Sequence, residues 1–104
     1  MAAYGVTMGF VQIIEYETDR FDEIMEVVRD GRPEAGDSTG FVRVTVTQDR
    51  DNPRRYLTFV EFASYEEAMA NSDRPETGEF AAKLAALCTS PPTFHNLDVV
   101  LTEP

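Results

Sequence analysis

The residues of this sequence that could do chemistry are few and lie far apart. His95 is the only histidine and Cys88 the only cysteine, and there is no tryptophan. Glu61 lies late in the apolar run 56–62, where burial raises a carboxyl's proton affinity and suits it to act as a general base. A structural salt bridge to an arginine is the alternative. His95, with Asn96 and Asp98 close behind, has the parts of a general base and an orienting carboxylate. On a strand, however, His95 points away from the face that Asn96 and Asp98 share. A near-surface structural histidine is therefore the competing reading. Gln12 stands between Val11 and Ile13, where a polar amide breaks the apolar pattern. Either it lines a pocket, or backbone or water satisfies it. Tyr16 and Tyr56 could each bind a substrate oxygen or be core tyrosines with a satisfied hydroxyl.

Other chemistries find little support. Cys88 has no His or cation near it in sequence and reads as an inert thiol packed on a helix. One His and one Cys make no metal cluster, and no acidic spacing matches a calcium loop. There is no glycine-rich phosphate loop. The formal net charge is −10. Apart from Arg50, Arg54 and Arg55 the basic residues are scattered, so neither nucleic acid nor an anionic membrane surface is an expected partner. The acids Asp19, Asp22, Glu23 and Glu26 read as the solvated face of a helix. The N-terminus lacks a basic, then apolar, leader, and no run is long enough to span a bilayer. A lone cysteine suits a reducing compartment, so a cytoplasmic location is expected.

The elements that must hold these residues follow from periodicity. The chain of 104 residues fits one domain, 1–104. Residues 6–17 read as a first strand. Thr18 or Asp19 offers a helix N-cap, and Phe21, Ile24, Met25 and Val28 form one helical stripe. Gly31, Pro33 and Gly36 mark a loop. Residues 40–48 alternate as a second strand, with Val42, Val44 and Val46 on one face. Residues 49–54 are turn chemistry, and 55–62 return as a hairpin partner. Ser64 and Glu67 have capping-box spacing and open a short helix. Asp73 is expected to cap a second main helix with Pro75 in its first turn. Phe80, Ala81, Leu84, Ala85, Leu87 and Cys88 form that helix's stripe, and Pro91 and Pro92 end it. Residues 93–102 form the last strand.

The order βαββαβ predicts an α+β, ferredoxin-like domain: an antiparallel four-stranded sheet with its helices on one face. The first and third strands are expected to be central and to run parallel to each other. Both are apolar on both sides. Met8, Phe10, Ile14 and Tyr16 share one face of the first strand, with Val11 and Ile13 on the other. Tyr56, Val60 and Phe62 oppose Leu57 and Phe59 on the third. Helices can cover only one side, and an uncovered apolar face marks an interface. A second copy, face to face about a two-fold axis, is the simplest cover.

The stretch from Tyr56 to Asn71 resembles the third strand and following helix of the dimeric α+β barrel superfamily, most nearly its antibiotic biosynthesis monooxygenase-like branch. Glu61, Phe62, Ser64, Glu67, Ala68, Asn71 and Phe80 stand where that degenerate pattern expects them, and the element order extends over nearly the whole chain. The resemblance implies a homodimer with an aromatic-substrate pocket in each subunit. It also implies oxygenation by O₂ with no cofactor, neither metal nor flavin. Asn71 occupies the pocket position usually filled by His or Trp, though it could equally cap the short helix. Gln12 stands near the first-strand asparagine of a related haem-degrading branch. That branch also uses a helix histidine and a tryptophan, which this sequence lacks, so haem degradation is not expected.

Two functions follow as expectations. The first is a cofactor-independent monooxygenase-like enzyme acting on a hydrophobic aromatic small molecule. In it Gln12, Asn71 and Tyr56 bind substrate and Glu61 or His95 moves a proton. The second is a non-catalytic dimeric barrel that binds a small ligand or serves as an accessory protein.

Overall fold

The computed structural model describes residues 9–30 and 41–103. In chain order the elements are β1 (Phe10–Glu17), α1 (Phe21–Asp30), β2 (Phe41–Gln48), β3 (Arg55–Phe62), α2 (Tyr65–Ser72), α3 (Pro75–Ala86) and β4 (Thr93–Asp98). The strands form one sheet in the order β2-β3-β1-β4. The expected positions 6–8 of the first strand and the loop glycines and proline of 31–36 lie outside the described residues.

β1 pairs antiparallel with both β3 and β4, and β2 pairs antiparallel with β3. The expectation that β1 and β3 run parallel is therefore corrected. A crossover through a helix returns the chain in its original direction, so β2 runs parallel to β1. The hairpin then reverses β3, which inserts between those two strands and opposes both.

Alternation decides the two sides of the sheet. Phe10, Ile14 and Tyr16 of β1 and Tyr56, Thr58, Val60 and Phe62 of β3 are buried. They pack with Ile24 of α1, Ala68 of α2 and Leu84 of α3, and Phe21, Met25, Val28, Met69, Phe80, Leu87 and Cys88 close around them. The even-numbered positions of β1 and β3 thus form the floor under the helices. The odd-numbered side, with Val11, Ile13, Leu57 and Phe59, has no described helix over it, and these four side chains are half-buried by their neighbours.

Element ends show which local signals were used. Ser64 accepts from the Glu67 amide at 3.1 Å and caps α2. Asp73 does not cap α3. It closes the C-terminus of α2, and Arg74 precedes Pro75 at the start of α3 without a side-chain cap. Thr18, rather than Asp19, serves the entry to α1: its hydroxyl accepts from the Arg20 amide at 2.9 Å and donates to the Leu87 carbonyl at 2.6 Å. The Thr89 amide donates to the Glu17 carbonyl at 2.9 Å, so the exit of α3 is stitched to the end of β1. β2 carries a bulge between Phe41 and Arg43, which takes Val42 out of the expected Val44 and Val46 row. β4 ends at Asp98. Beyond it the Val99 amide still donates to the Gly9 carbonyl at 3.0 Å.

Candidate functional site

The register across the sheet sorts the candidate residues. Gln12 faces Val60 on one neighbour and Asn96 on the other. It shares the helix side with Phe10 and Ile14, half-buried in a row of buried apolar groups. Its Nε2 donates to Asn96 Oδ1 at 3.0 Å. All of β4 is exposed, so this amide pair lies on an open shelf at the β4 edge. Phe94, paired with Ile14 on the same side, is 45% exposed beside it. Tyr65 at the start of α2 meets the Phe10 ring edge-on at 5.4 Å.

Tyr56 is at the other end of the floor. It pairs with Tyr16, four residues beyond Gln12, about 13 Å along the strand. Its ring stacks on Phe21 at 4.2 Å and on Tyr16 at 5.8 Å, and its hydroxyl accepts from Gln48 Nε2 at 3.3 Å. The Tyr16 hydroxyl is paired with that of Thr58 at 3.0 Å, and burial pushes the phenol's pKa up. Asn71 is half-buried in the last turn of α2. Its backbone carbonyl accepts from Thr77 Oγ1 at 2.7 Å and from the Arg74 amide at 3.1 Å, fastening α2 to α3.

Glu61 and His95 occupy the opposite side of the sheet. Glu61 lies 3.7 Å from Arg43, the salt bridge its position allowed. His95 Nε2 is 3.2 Å from Glu15. Glu15 is gripped by Arg55 at 2.6 and 3.0 Å, and Arg55 also reaches Asp49 at 2.9 Å. The Arg55 hydrogen bonds, and then that to His95, hold the Glu15 carboxyl below the usual carboxylate range. Asp49 is lowered first by the backbone amide of Asp51 and is helped by Arg55. Burial raises the Cys88 thiol, in keeping with a packed, unreactive sulfur.

Of the five candidate residues, then, Gln12 and Tyr56 share one side of the sheet without touching, and Glu61 and His95 share the other. Asn96 is the residue that the sequence left unassigned and the geometry adds. A polar residue in register with Gln12 was the available signal, but the register between β1 and β4 is a tertiary property. A shallow, open depression of about 330 Å³ lies at the far end of the β2–β3 hairpin, lined by Gln48, Asp49, Arg50 and Pro53. Among the described residues, no group of three or more His, Cys, Asp or Glu could hold a metal ion, and no helix is long and apolar enough to cross a membrane.

No family model matches the sequence, and no curated protein matches it. Solved structures do match. SnoaB, a cofactor-independent oxygenase from Streptomyces nogalater, seen as a single-residue variant, aligns over 94% of this chain and 98% of its own at 18% identity and a TM-score of 0.77. A conserved protein from Methanosarcina mazei aligns over 93% and 97% at 11% identity and a TM-score of 0.76. A candidate antibiotic biosynthesis monooxygenase from Nitrosomonas europaea aligns over 88% of each chain at 17% identity and a TM-score of 0.71. The chain shares its ferredoxin-like α+β fold with these proteins. At these identities the shared property is the fold, and chemistry has to be argued from side chains. On the helix side of the described sheet, Gln12 and Asn96 form an exposed polar pair, whereas the Tyr16–Thr58 pair is buried.

Proposed function

We propose that the protein is a single-domain, cytoplasmic, homodimeric enzyme of monooxygenase type that takes a hydrophobic aromatic molecule and needs no cofactor. The observation that carries this reading is the Gln12–Asn96 amide pair beside exposed Phe94 on the helix side of the sheet. Apolar floor with a few placed polar groups is the composition of a small-molecule site. The likeness to SnoaB, a cofactor-independent oxygenase, supports the reaction class. Triplet O₂ reacts readily only with an electron-rich, deprotonated substrate, so the protein's task is to bind and ionise that substrate. Gln12 positions it, Asn71 approaches from α2, and Tyr56 supports the far end of the floor. Glu61 and His95, expected to move the proton, lie on the opposite side of the sheet, out of hydrogen-bond reach of a molecule held at Gln12. The half-buried Val11, Ile13, Leu57 and Phe59 support a dimer closed face to face through that side.

A second reading is favoured by a separate observation. Both proton-transfer candidates are held in ion pairs and lie across the sheet from the amides. This suits a dimeric barrel that binds a ligand and leaves it unchanged.

One experiment separates the two. Hydroxylated polycyclic aromatics are incubated with the protein while O₂ consumption and ligand binding are followed together. The enzyme reading expects uptake that falls at least tenfold in Gln12→Ala and measurably in Asn71→Ala. Tight binding across the panel with no O₂ consumed removes the enzyme reading and leaves the binding protein.

A further inference from the structure

We propose that His95 makes the pairing of two copies of this chain sensitive to pH, the dimer tightening when its imidazole is protonated. The inference rests on the face-to-face dimer proposed above and names what governs it. Alternation and register place His95, Glu15, Glu17, Arg55, Glu61 and Arg43 on the side of the sheet away from the helices. Asp49 joins them through its 2.9 Å contact with Arg55. With His95 neutral, the carboxylates of Glu15, Glu17, Asp49 and Glu61 there outnumber the guanidiniums of Arg43 and Arg55. A protonated His95 halves this negative surplus.

A two-fold interface brings a surface against itself. The apolar centre of Val11, Ile13, Leu57 and Phe59 matches its own copy as it stands, whereas a surplus of charge meets the same surplus opposite. That repulsion follows the product of the two surpluses, so halving each leaves about a quarter of it. The added proton also has a partner in place. His95 Nε2 is 3.2 Å from Glu15, whose carboxylate Arg55 keeps charged, so the imidazolium gains a hydrogen-bonded counter-charge. β1 is the strand paired with β4, and Glu15 is the charged side chain it brings to His95. Glu17 lies two residues further along β1, and Glu61 and Arg43 lie across the sheet on β3 and β2. The His95 side chain is 44% exposed in a single chain, so a second copy closing over it removes water that weakens the pairing. Histidine ordinarily changes charge between about pH 5 and 8, and this chain has one. A histidine whose proton affinity rises on assembly stabilises the dimer at low pH, and the gain is lost as pH rises through the dimer's value.

The test measures the dimer Kd of the full chain by sedimentation velocity over a dilution series at constant ionic strength. Between about pH 7.5 and pH 5.5 the wild-type Kd is expected to fall roughly fivefold or more. His95→Gln should stay near the wild-type value of the higher pH throughout. Glu15→Gln keeps an oxygen for Arg55 but removes a negative charge, so it should pair more tightly than wild type at the higher pH. The single histidine signal in proton NMR should titrate at a higher pH in concentrated than in dilute samples. A wild-type Kd that is unchanged or weaker at the lower pH overturns the switch and leaves the dimer, as does equal pH dependence in His95→Gln. A wild-type chain that is monomeric at every pH and concentration removes the dimer itself and leaves that side to a different partner.

Discussion

Glu15 shows how much one side chain's surroundings decide. Its carboxyl is gripped by Arg55 and touched by His95, and both contacts favour the charged form. A carboxyl held below its unfolded value contributes stability that is present above that value, about 4.3 for Glu. The contribution is lost as pH falls through the lower, folded value. In Arg55→Met the largest cause is gone, so the Glu15 titration followed by carbon NMR should move up toward the ordinary range. The acid limb of the unfolding profile below about pH 4 should become shallower. An unmoved Glu15 titration would show that Arg55 does not hold it. Tyr16 and Thr58 give a second residue-scale expectation, because their hydroxyls satisfy one another inside the core. Thr58→Val leaves the phenol unpaired and should cost about 1–3 kcal/mol in denaturant unfolding. Adding Tyr16→Phe should recover much of that loss. At this scale the sequence disclosed that His95 and Asn96 face opposite ways, since alternation is local. It could not disclose that Asn96 meets Gln12, because the two are 84 positions apart and only strand pairing joins them.

Among the elements, β3 and the β2–β3 turn were legible to the residue. Their signals, an apolar run and a string of Asp, Asn and Pro, act over a few positions. Asp49 and Asn52 accept from the amides of Asp51 and Arg54, as turn residues do. The start of α3 was misread because Asp73 looks like an N-cap, yet the preceding helix takes it for its own end. The end of β4 was overextended: Val99 and Val100 have strand-forming side chains, but among the described residues pairing beyond Asp98 is limited to the Val99–Gly9 hydrogen bond. Gly9 fixes the head of β1 for a steric reason. A Cβ there would stand 2.8 Å from the Phe62 carbonyl oxygen, a backbone atom with little room to retreat. Gly9→Ala should therefore lower stability on the order of 1–3 kcal/mol, read as a lower midpoint in urea. It should also speed amide exchange at Val99, which is bonded to the Gly9 carbonyl. A neutral effect would mean that this end of the sheet is slack.

For the molecule as a whole, fold class was the most legible property, because a βαββαβ order with two-sided apolar central strands admits few packings. The relative direction of β1 and β3 was misjudged although the element order fixes it: the crossover returns β2 parallel to β1, and the hairpin then reverses β3 against both. The proposed dimer makes a direct prediction. Phe59→Asp, on the side away from the helices, should convert a dimer at micromolar concentration into a folded monomer by sedimentation velocity, with its helical circular dichroism retained. A wild-type protein that sediments as a monomer would remove the dimer and the role assigned to that side.

The alternation that divides β1 also divides what natural or laboratory selection can change there. Under the proposed function, position 12 answers to a guest molecule and position 14 to the helical roof, whereas 11, 13 and 15 answer to whatever covers the reverse. A mutational library confined to Gln12, Phe94 and Asn96 could thus retune selectivity without disturbing quaternary assembly. A library at Val11, Ile13 and Phe59 could rewire assembly while leaving the guest's contacts alone. On that proposal two separate demands run along a single eight-residue ribbon, and a step of one position passes from one to the other.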